Sequence, residues 1–430
     1  MMFERLRPTT STKTANAEGG GASVKAESAV PDASPGAARG SREARGRERP
    51  VVGLDIQPGL LVAAKCRVEG RLLVERAAYT PLALDVVRDG EVNNIPALGR
   101  ALAELFHTSR LERRVRIGIA NQRIVMRRIS LPPLVDAKEI DLAVRFQAQD
   151  EIPMPLDSVV LDYRSLGIVA SESGPRLDVL LVAARRDMVE RVLEAASLAG
   201  LRVDGVDLAA FGMVRALRPA DADPTTRILY LAIGGMTNLA ISQGSTCEFT
   251  RVIASGVEQI AADVASRCGV SLGEARRLVS SAGTASSLGP TQHAPLAPAP
   301  PIPGAYGAPG SGSADIQSGG IEPLEIMPQS AGDRTAIIRT TLTEGIRRIA
   351  AEVRNSLDFY VSAQGEGPVA RGVLCGPALE IAGFEAALSG ELGIPVARGA
   401  VALASSDAAG GVPTSLIAVA AGLSVSEGPS

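Results

Sequence analysis

The stretch Ile228–Ser242, ILYLAIGGMTNLAIS, decides how the rest of the chain is read. Four apolar residues, Ile228 to Leu231, lead in; Gly234-Gly235 interrupts; Thr237 to Ile241 leaves as a second extended run. Strand, glycine turn, strand is a hairpin. Glycines without side chains let the turn backbone approach an anionic ligand closely. Working outward, Val51 to Lys65 shows a similar pattern: an apolar start, Asp55, a turn at Gln57-Pro58-Gly59, and an apolar continuation. A third glycine turn, Leu374-Cys375-Gly376-Pro377, comes late. Neither a Walker-type phosphate loop nor a GxGxxG dinucleotide fingerprint follows a strand, so phosphate binding here rests on widely separated turns facing one cleft.

Composition narrows the function classes. The chain has 430 residues, room for two or more domains, and is 46% hydrophobic and 21% charged, as a globular protein is. Its net charge of −3 gives no global basic field to recruit nucleic acid, and 3% aromatics with no Trp argues against base-stacking platforms. The four cysteines, Cys66, Cys247, Cys268 and Cys375, form no CxxC pair and read as reduced thiols. Two histidines, His107 and His293, exclude a His-rich metal site and disfavour a Ser-His catalytic pair. No apolar run reaches the roughly 20 residues of a membrane span, and the N-terminus lacks a signal-peptide core. The expectation is a cytoplasmic protein with no direct membrane span, held at a membrane only by a partner.

The pass along the chain divides it into six segments. Residues 1–49, rich in Ser, Gly, Ala and Arg, are expected to be a disordered tail. In residues 50–121, Val51 to Val74 reads as a two-stranded hairpin, followed by a helix from Ile95 to Phe106 capped by Asn94 and a strand from Val115. Residues 122–202 read as a separate unit. Its strand from Val125 leads to helices opened by Asp136 with Glu139 and by Asp187 with Glu190, both in capping-box spacing. Residues 203–281 carry the central hairpin, a helix from Gly256 to Cys268 and one capped by Ser271 and Glu274. Residues 282–330 are a Pro/Ala/Gly-rich run expected to be a mobile loop. Residues 331–430 begin with the strongest helical pattern, Ile338, Leu342, Ile346, Ile349, Val353, Leu357 and Tyr360. They continue with a strand from Val369, a helix from Ala378 to Leu388, and a last helix from Ser415 to Ala421.

That order, with the stretch RRISLPPLVDAKEIDLAVRFQAQDEIPMPLDSVVLDYRSLG from Arg127 to Gly167, resembles the type IV pilus assembly protein PilM family. The family's LP turn, following helix, IP end and DY strand correspond to Leu131-Pro132, Glu139, Ile152-Pro153 and Asp162-Tyr163. NSLDFY, from Asn355 to Tyr360, resembles the family's RSLDFY, and VLCGPALEIAGF, from Val373 to Phe384, its adenosine-side turn. The likeness spans about residues 51–425, less the Pro-rich run. It implies an actin-like (ribonuclease H-like) two-lobed α/β fold with an inserted small α/β subdomain. It also implies ATP and Mg²⁺ as cofactors. The implied partner is a PilN-like inner-membrane protein, whose short cytoplasmic N-terminal peptide would dock between the first subdomain and the 122–202 unit, linking the inner-membrane complex to the pilus motor. Self-association is left open.

The resemblance also marks what is lost. The first phosphate loop keeps Asp55 and Gly59, but Gln57 replaces a glycine and Pro58 and Leu60 replace hydroxyls, and Pro58 offers no N–H. The second loop keeps Gly234, Gly235 and Thr237, with Ala232 where an Asp belongs. The family's AExxK-type helix has Arg276 at the Glu position and Val279 at the Lys position. Asp55 is read either as a water-mediated Mg²⁺ ligand or as a turn cap, and Arg276 either as a substitute phosphate ligand or as a surface arginine. Gly376 is read as an adenine-side turn and Cys375 as a small apolar filler. No catalytic residue is identified. The leading expectation is a scaffold with a degenerate nucleotide site. An active actin-like ATPase driving a conformational cycle is the enzyme alternative, and an FtsA-like division tether a third. The tether lacks a basic amphipathic C-terminal stretch, and a sugar kinase lacks a catalytic Asp beside an intact phosphate loop.

Overall fold

The computed structural model describes residues 50–171, 174–220, 222–283, 331–364 and 367–426. The tail read at 1–49 and nearly all of the Pro-rich run lie outside them.

The opening segment is a three-stranded meander, not the two-stranded hairpin expected: β1 (Val52–Gln57), β2 (Leu60–Glu69) and β3 (Arg71–Pro81). The second turn is a single residue, Gly70, at φ +66, a conformation glycine adopts without steric cost. A small ribbon, β4 (Val87–Arg88) with β5 (Glu91–Val92), precedes α1 (Ile95–Ser109), whose Asn94 cap accepts from the Ala97 N–H at 3.0 Å. Next come β6 (Arg114–Ile119), β7 (Val125–Leu131) and α2 (Ala137–Glu151), capped by Asp136 as read. Then β8 (Val159–Ser171) and β9 (Gly174–Arg185) form a long hairpin.

The following helix, α3 (Arg186–Leu198), corrects a second expectation. It has no side-chain cap; Asp187 sits inside its first turn, ion-paired to Arg185. After α3 come β10 (Arg202–Leu208), α4 (Ala209–Leu217), β11 (Arg227–Ile233), β12 (Thr237–Gln243), β13 (Thr246–Ile253) and α5 (Val257–Cys268). Then follow α6 (Leu272–Ala282), capped by Ser271, and the long α7 (Ala331–Gln364). The chain closes with β14 (Arg371–Cys375), α8 (Phe384–Leu392), β15 (Val396–Arg398), β16 (Ala402–Leu403) and α9 (Thr414–Leu423). The helix expected from Ala378 to Leu388 is in fact a 3-10 turn at Pro377–Glu380 followed by α8, with the break at Gly383, φ +79.

The strands build two large sheets on one plan. The first has the order β10-β6-β1-β2-β3-β16, the second β13-β12-β11-β14-β15. In each, an antiparallel meander is extended by a strand parallel to its first member, β6 beside β1 and β14 beside β11, and then by another parallel strand. A third sheet, β7-β9-β8, belongs to the unit inserted between β6 and β10. Its own core gathers Ile129, Leu131, Val144, Ala148, Val179 and Leu181.

Helices α4 and α9 lie between the two large sheets. Their apolar residues share one cluster with Val62, Ala64 and Val74 of the first sheet and Ile228 and Tyr230 of the second. The helices touch backbone to backbone: a methyl group on Gly422 would lie 1.7 Å from the Gly212 carbonyl oxygen. On the far face of the second sheet, α7 buries Ile338, Leu342, Ile346, Ile349 and Val353, the stripe its periodicity indicated. Each such side chain contributes about 1.5–3 kcal/mol by leaving water.

Candidate functional site

The two meanders bring their first turns face to face. Gly59, at φ +86, ends the β1–β2 turn; Gly234 and Gly235 make the β11–β12 turn; Gly376, at φ +93, follows β14 beside them. The sequence-read residues Asp55, Gly59, Gly234, Gly235 and Gly376 therefore do converge. The space between them is filled by the chain itself. A methyl group on Gly235 would lie 2.4 Å from the Pro58 carbonyl oxygen and 2.8 Å from Pro58 Cβ. One on Gly234 would lie 2.4 Å from Gln57 Oε1 and 3.3 Å from the Pro377 ring. One on Gly256, just before α5, would lie 2.2 Å from the Gly234 carbonyl oxygen.

Several polar groups at these turns are engaged within the chain, while the buried Ser255 Oγ has no partner among the described residues. The Gln57 Nε2 donates to Asp55 Oδ2 at 2.5 Å, and Asp55 is 2% exposed. Burial pushes the Asp55 carboxyl up to about 6, with the Gln57 hydrogen bond opposing the rise. The first N–H of α5, from Val257, is spent on the Gly234 carbonyl at 2.8 Å. Thr237, expected at the phosphates, is fully buried and its hydroxyl donates to the Ser255 carbonyl at 2.7 Å. Arg276 donates to Glu258 at 2.9 Å, and Glu258 in turn reaches Gly59, whose added methyl group would lie 3.4 Å from its Oε1. Burial, with Asp55 nearby, drives the Cys375 thiol well above its ordinary range, so Cys375 is a filler and not a nucleophile. Among the described residues no three His, Cys, Asp or Glu gather as a metal site. A nucleotide's phosphates need free donors and open volume, and here Gln57, Val257, Thr237 and Arg276 direct their donors to groups of the chain itself.

A second cleft opens nearby and was not read from the sequence. A small pocket of about 70 Å³, partly open to solvent, lies where the first sheet passes into the inserted unit. Its walls are Ile119 at the end of β6, Gln122 beyond it, Leu208 at the end of β10, Asn238 of β12, and Thr250 and Val252 of β13. Asn121 stiffens the wall: its Nδ2 donates to the Asp89 carbonyl at 2.7 Å and its Oδ1 accepts from the Arg123 N–H at 2.8 Å. Asn238 is 7% exposed, and its Oδ1 has no hydrogen-bond partner among the described residues. A buried acceptor without a donor costs about 1–3 kcal/mol. Strands β13 and β7, the outer strands of their sheets, approach each other here. The available signal is the amide of Asn238, directly before the apolar run Leu239 to Ile241.

The sequence matches the family described as type IV pilus assembly protein PilM over residues 53–284, more than half the chain. The chain belongs to the PilM family. Its fold is similar to a solved PilM-PilN type IV pilus biogenesis complex, with a TM-score of 0.62 and 23% identity, covering 87% of this chain and 97% of that one. Weaker likenesses include the ethanolamine utilization protein EutJ from Carboxydothermus hydrogenoformans (TM-score 0.47, 13% identity, 87% and 88% covered). Another is MreB5 of Spiroplasma citri bound to ADP (TM-score 0.46, 13% identity, 87% and 94% covered). The architecture of this PilM-family chain is an actin-like α/β fold. Among its described residues no helix is long and apolar enough to cross a membrane.

Proposed function

We propose that this PilM-family chain is a cytoplasmic scaffold of type IV pilus, or related secretion, assembly. It binds the cytoplasmic N-terminal peptide of a PilN-like inner-membrane protein and so sits at the membrane through that partner. In a ribonuclease H-like arrangement, residues 50–121 open the first lobe, 203–281 return to it and enter the second, 331–426 complete the second and return to the first, and 122–202 is the inserted subdomain. The shared strand order of the two large sheets supports that division. The peptide lies in the pocket where the two large sheets meet the start of the inserted subdomain. Asn238 in the pocket wall carries the reading, because its carboxamide, whose Oδ1 is buried without a partner, has bonding capacity that an extended peptide entering there would engage. Scaffolding needs no turnover, which agrees with a nucleotide site reduced to Asp55, Gly59, Gly234, Gly235 and Gly376, with Thr237 and Arg276 engaged elsewhere.

The test is fluorescence anisotropy with a labelled peptide of the partner's N-terminal cytoplasmic segment. Micromolar binding, weakened about tenfold by Asn238→Ala, is the expected outcome. Binding indifferent to Asn238 and to Gln122 would move the peptide to another surface.

A further inference from the structure

The cleft between the two first turns is more than eroded. We infer that the Gln57-Pro58 turn is a built-in stopper: its carboxamide and backbone occupy the place of a ligand's phosphates and join the two large sheets without nucleotide. This goes beyond the scaffold reading and does not depend on it.

Four contacts carry the inference, and each crosses from the first sheet's turn to the second sheet. Gln57 Oε1 packs on Gly234, and the Pro58 carbonyl and ring pack on Gly235. Gly59 meets Glu258 at the start of α5, and Glu258 is held by Arg276. Gln57 also turns its donor end back onto Asp55. A carboxyl 2% exposed needs a donor, a proton or a cation. The amide of Gln57 supplies the donor, so the site asks for no metal. The geometry requires glycine at 235, where a side chain would collide with the Pro58 backbone, while at Gly234 a side chain would displace the end of Gln57. These second-loop glycines, read from sequence as room for phosphates, make room instead for the chain's own first loop.

The experiment uses the full chain and two variants, Gln57→Ala and the double variant Gln57→Gly with Pro58→Ser. Hydrogen–deuterium exchange is followed over residues 230–237 and 255–260, with and without about 1 mM MgATP, a concentration that saturates a micromolar site. In the wild type, MgATP leaves these segments unchanged. Both variants exchange them about tenfold faster, because the opening they report loses contacts that cross the cleft. Peptide binding, read separately, stays within about twofold of wild type, since the sites share no side chain. Protection of 57–59 and 234–236 by MgATP in the wild type would overturn the stopper, as would variant exchange equal to wild type. Failure of the wild type to bind peptide would strike the scaffold reading and leave the stopper standing. Gln57→Ala keeps the proline turn and answers the question if the double variant does not fold.

Discussion

Two clefts lie between the same two sheets, and neighbouring residues of β12 face opposite situations in them. Thr237, beside the turn cleft, is fully buried and hydrogen-bonded to Ser255. Asn238, one residue on, lines the junction pocket with its Oδ1 unpartnered. The turn cleft has drawn most of its named polar groups, though not the Ser255 hydroxyl, into internal bonds, and the Gln57-Pro58 turn packs against its glycines. The junction pocket keeps both volume and an unmet hydrogen bond. An internal cleft that is satisfied contributes stability, while one that is not contributes recognition. Comparing the two tells which of them still faces a ligand.

The contrast breaks most visibly at Gly235. Gly235→Val drives a branched side chain into the Pro58 backbone, which has no rotamer to yield. Urea titration is expected to show a loss of roughly 3–4 kcal/mol. A variant as stable as the wild type would mean that the turns are not in contact.

Next in size is the pH dependence at Asp55. Its carboxyl titrates at about 6 in the fold against 3.8 ordinarily, so the folded state holds the proton more tightly. The associated stability is fully present below the ordinary value and is lost as pH rises through about 6. The two-unit shift corresponds to about 3 kcal/mol. In Asp55→Asn this component disappears. The difference in unfolding free energy between wild type and variant should therefore move by that amount between acid and neutral pH. A parallel pair of pH profiles would mean that Asp55 is solvated.

A smaller effect of opposite sign belongs to the pocket. Asn238→Leu removes the orphaned acceptor and should raise stability by about 1–2 kcal/mol while weakening peptide binding. Stability gained with binding intact would uncouple the pocket from recognition. Smallest is Arg276→Ala. The partly exposed Arg276–Glu258 pair should cost no more than about 0.5 kcal/mol in thermal or urea denaturation. A much larger loss would promote that pair to a principal tie across the turn cleft.

The sequence made the local devices legible and left the distant ones hidden. Asn94, Asp136 and Ser271 act as helix caps because a cap depends on residues within three positions. The α7 stripe was readable because burial follows the helical period. Asp187 with Glu190 had capping spacing yet makes no cap: Arg185, two residues before, takes the carboxylate instead. The two-residue strand β16 pairs with β3 across more than three hundred residues, which no local pattern announces. At the candidate site, the replacement of a loop glycine by Gln57 was visible as a loss. Its amide's direction, onto Asp55 and against Gly234, depends on a turn far along the chain. Asn238 was passed over for the same reason, since its isolation is set by Ile119, Leu208 and Val252.

The burial of α9 has a consequence for synthesis. This helix follows every other described element in the chain, yet it packs against the opening strand: a methyl group on Gly53 would lie 1.9 Å from the Ala420 carbonyl oxygen. The buried Arg116 of β6 then donates to the Leu423 and Val425 carbonyls just beyond it. While a ribosome is still making the chain, β1, β2 and α4 must wait with their apolar faces uncovered until α9 emerges. Folding of the central layer is thus tied to the emergence of α9, and until then the nascent chain carries exposed apolar surface.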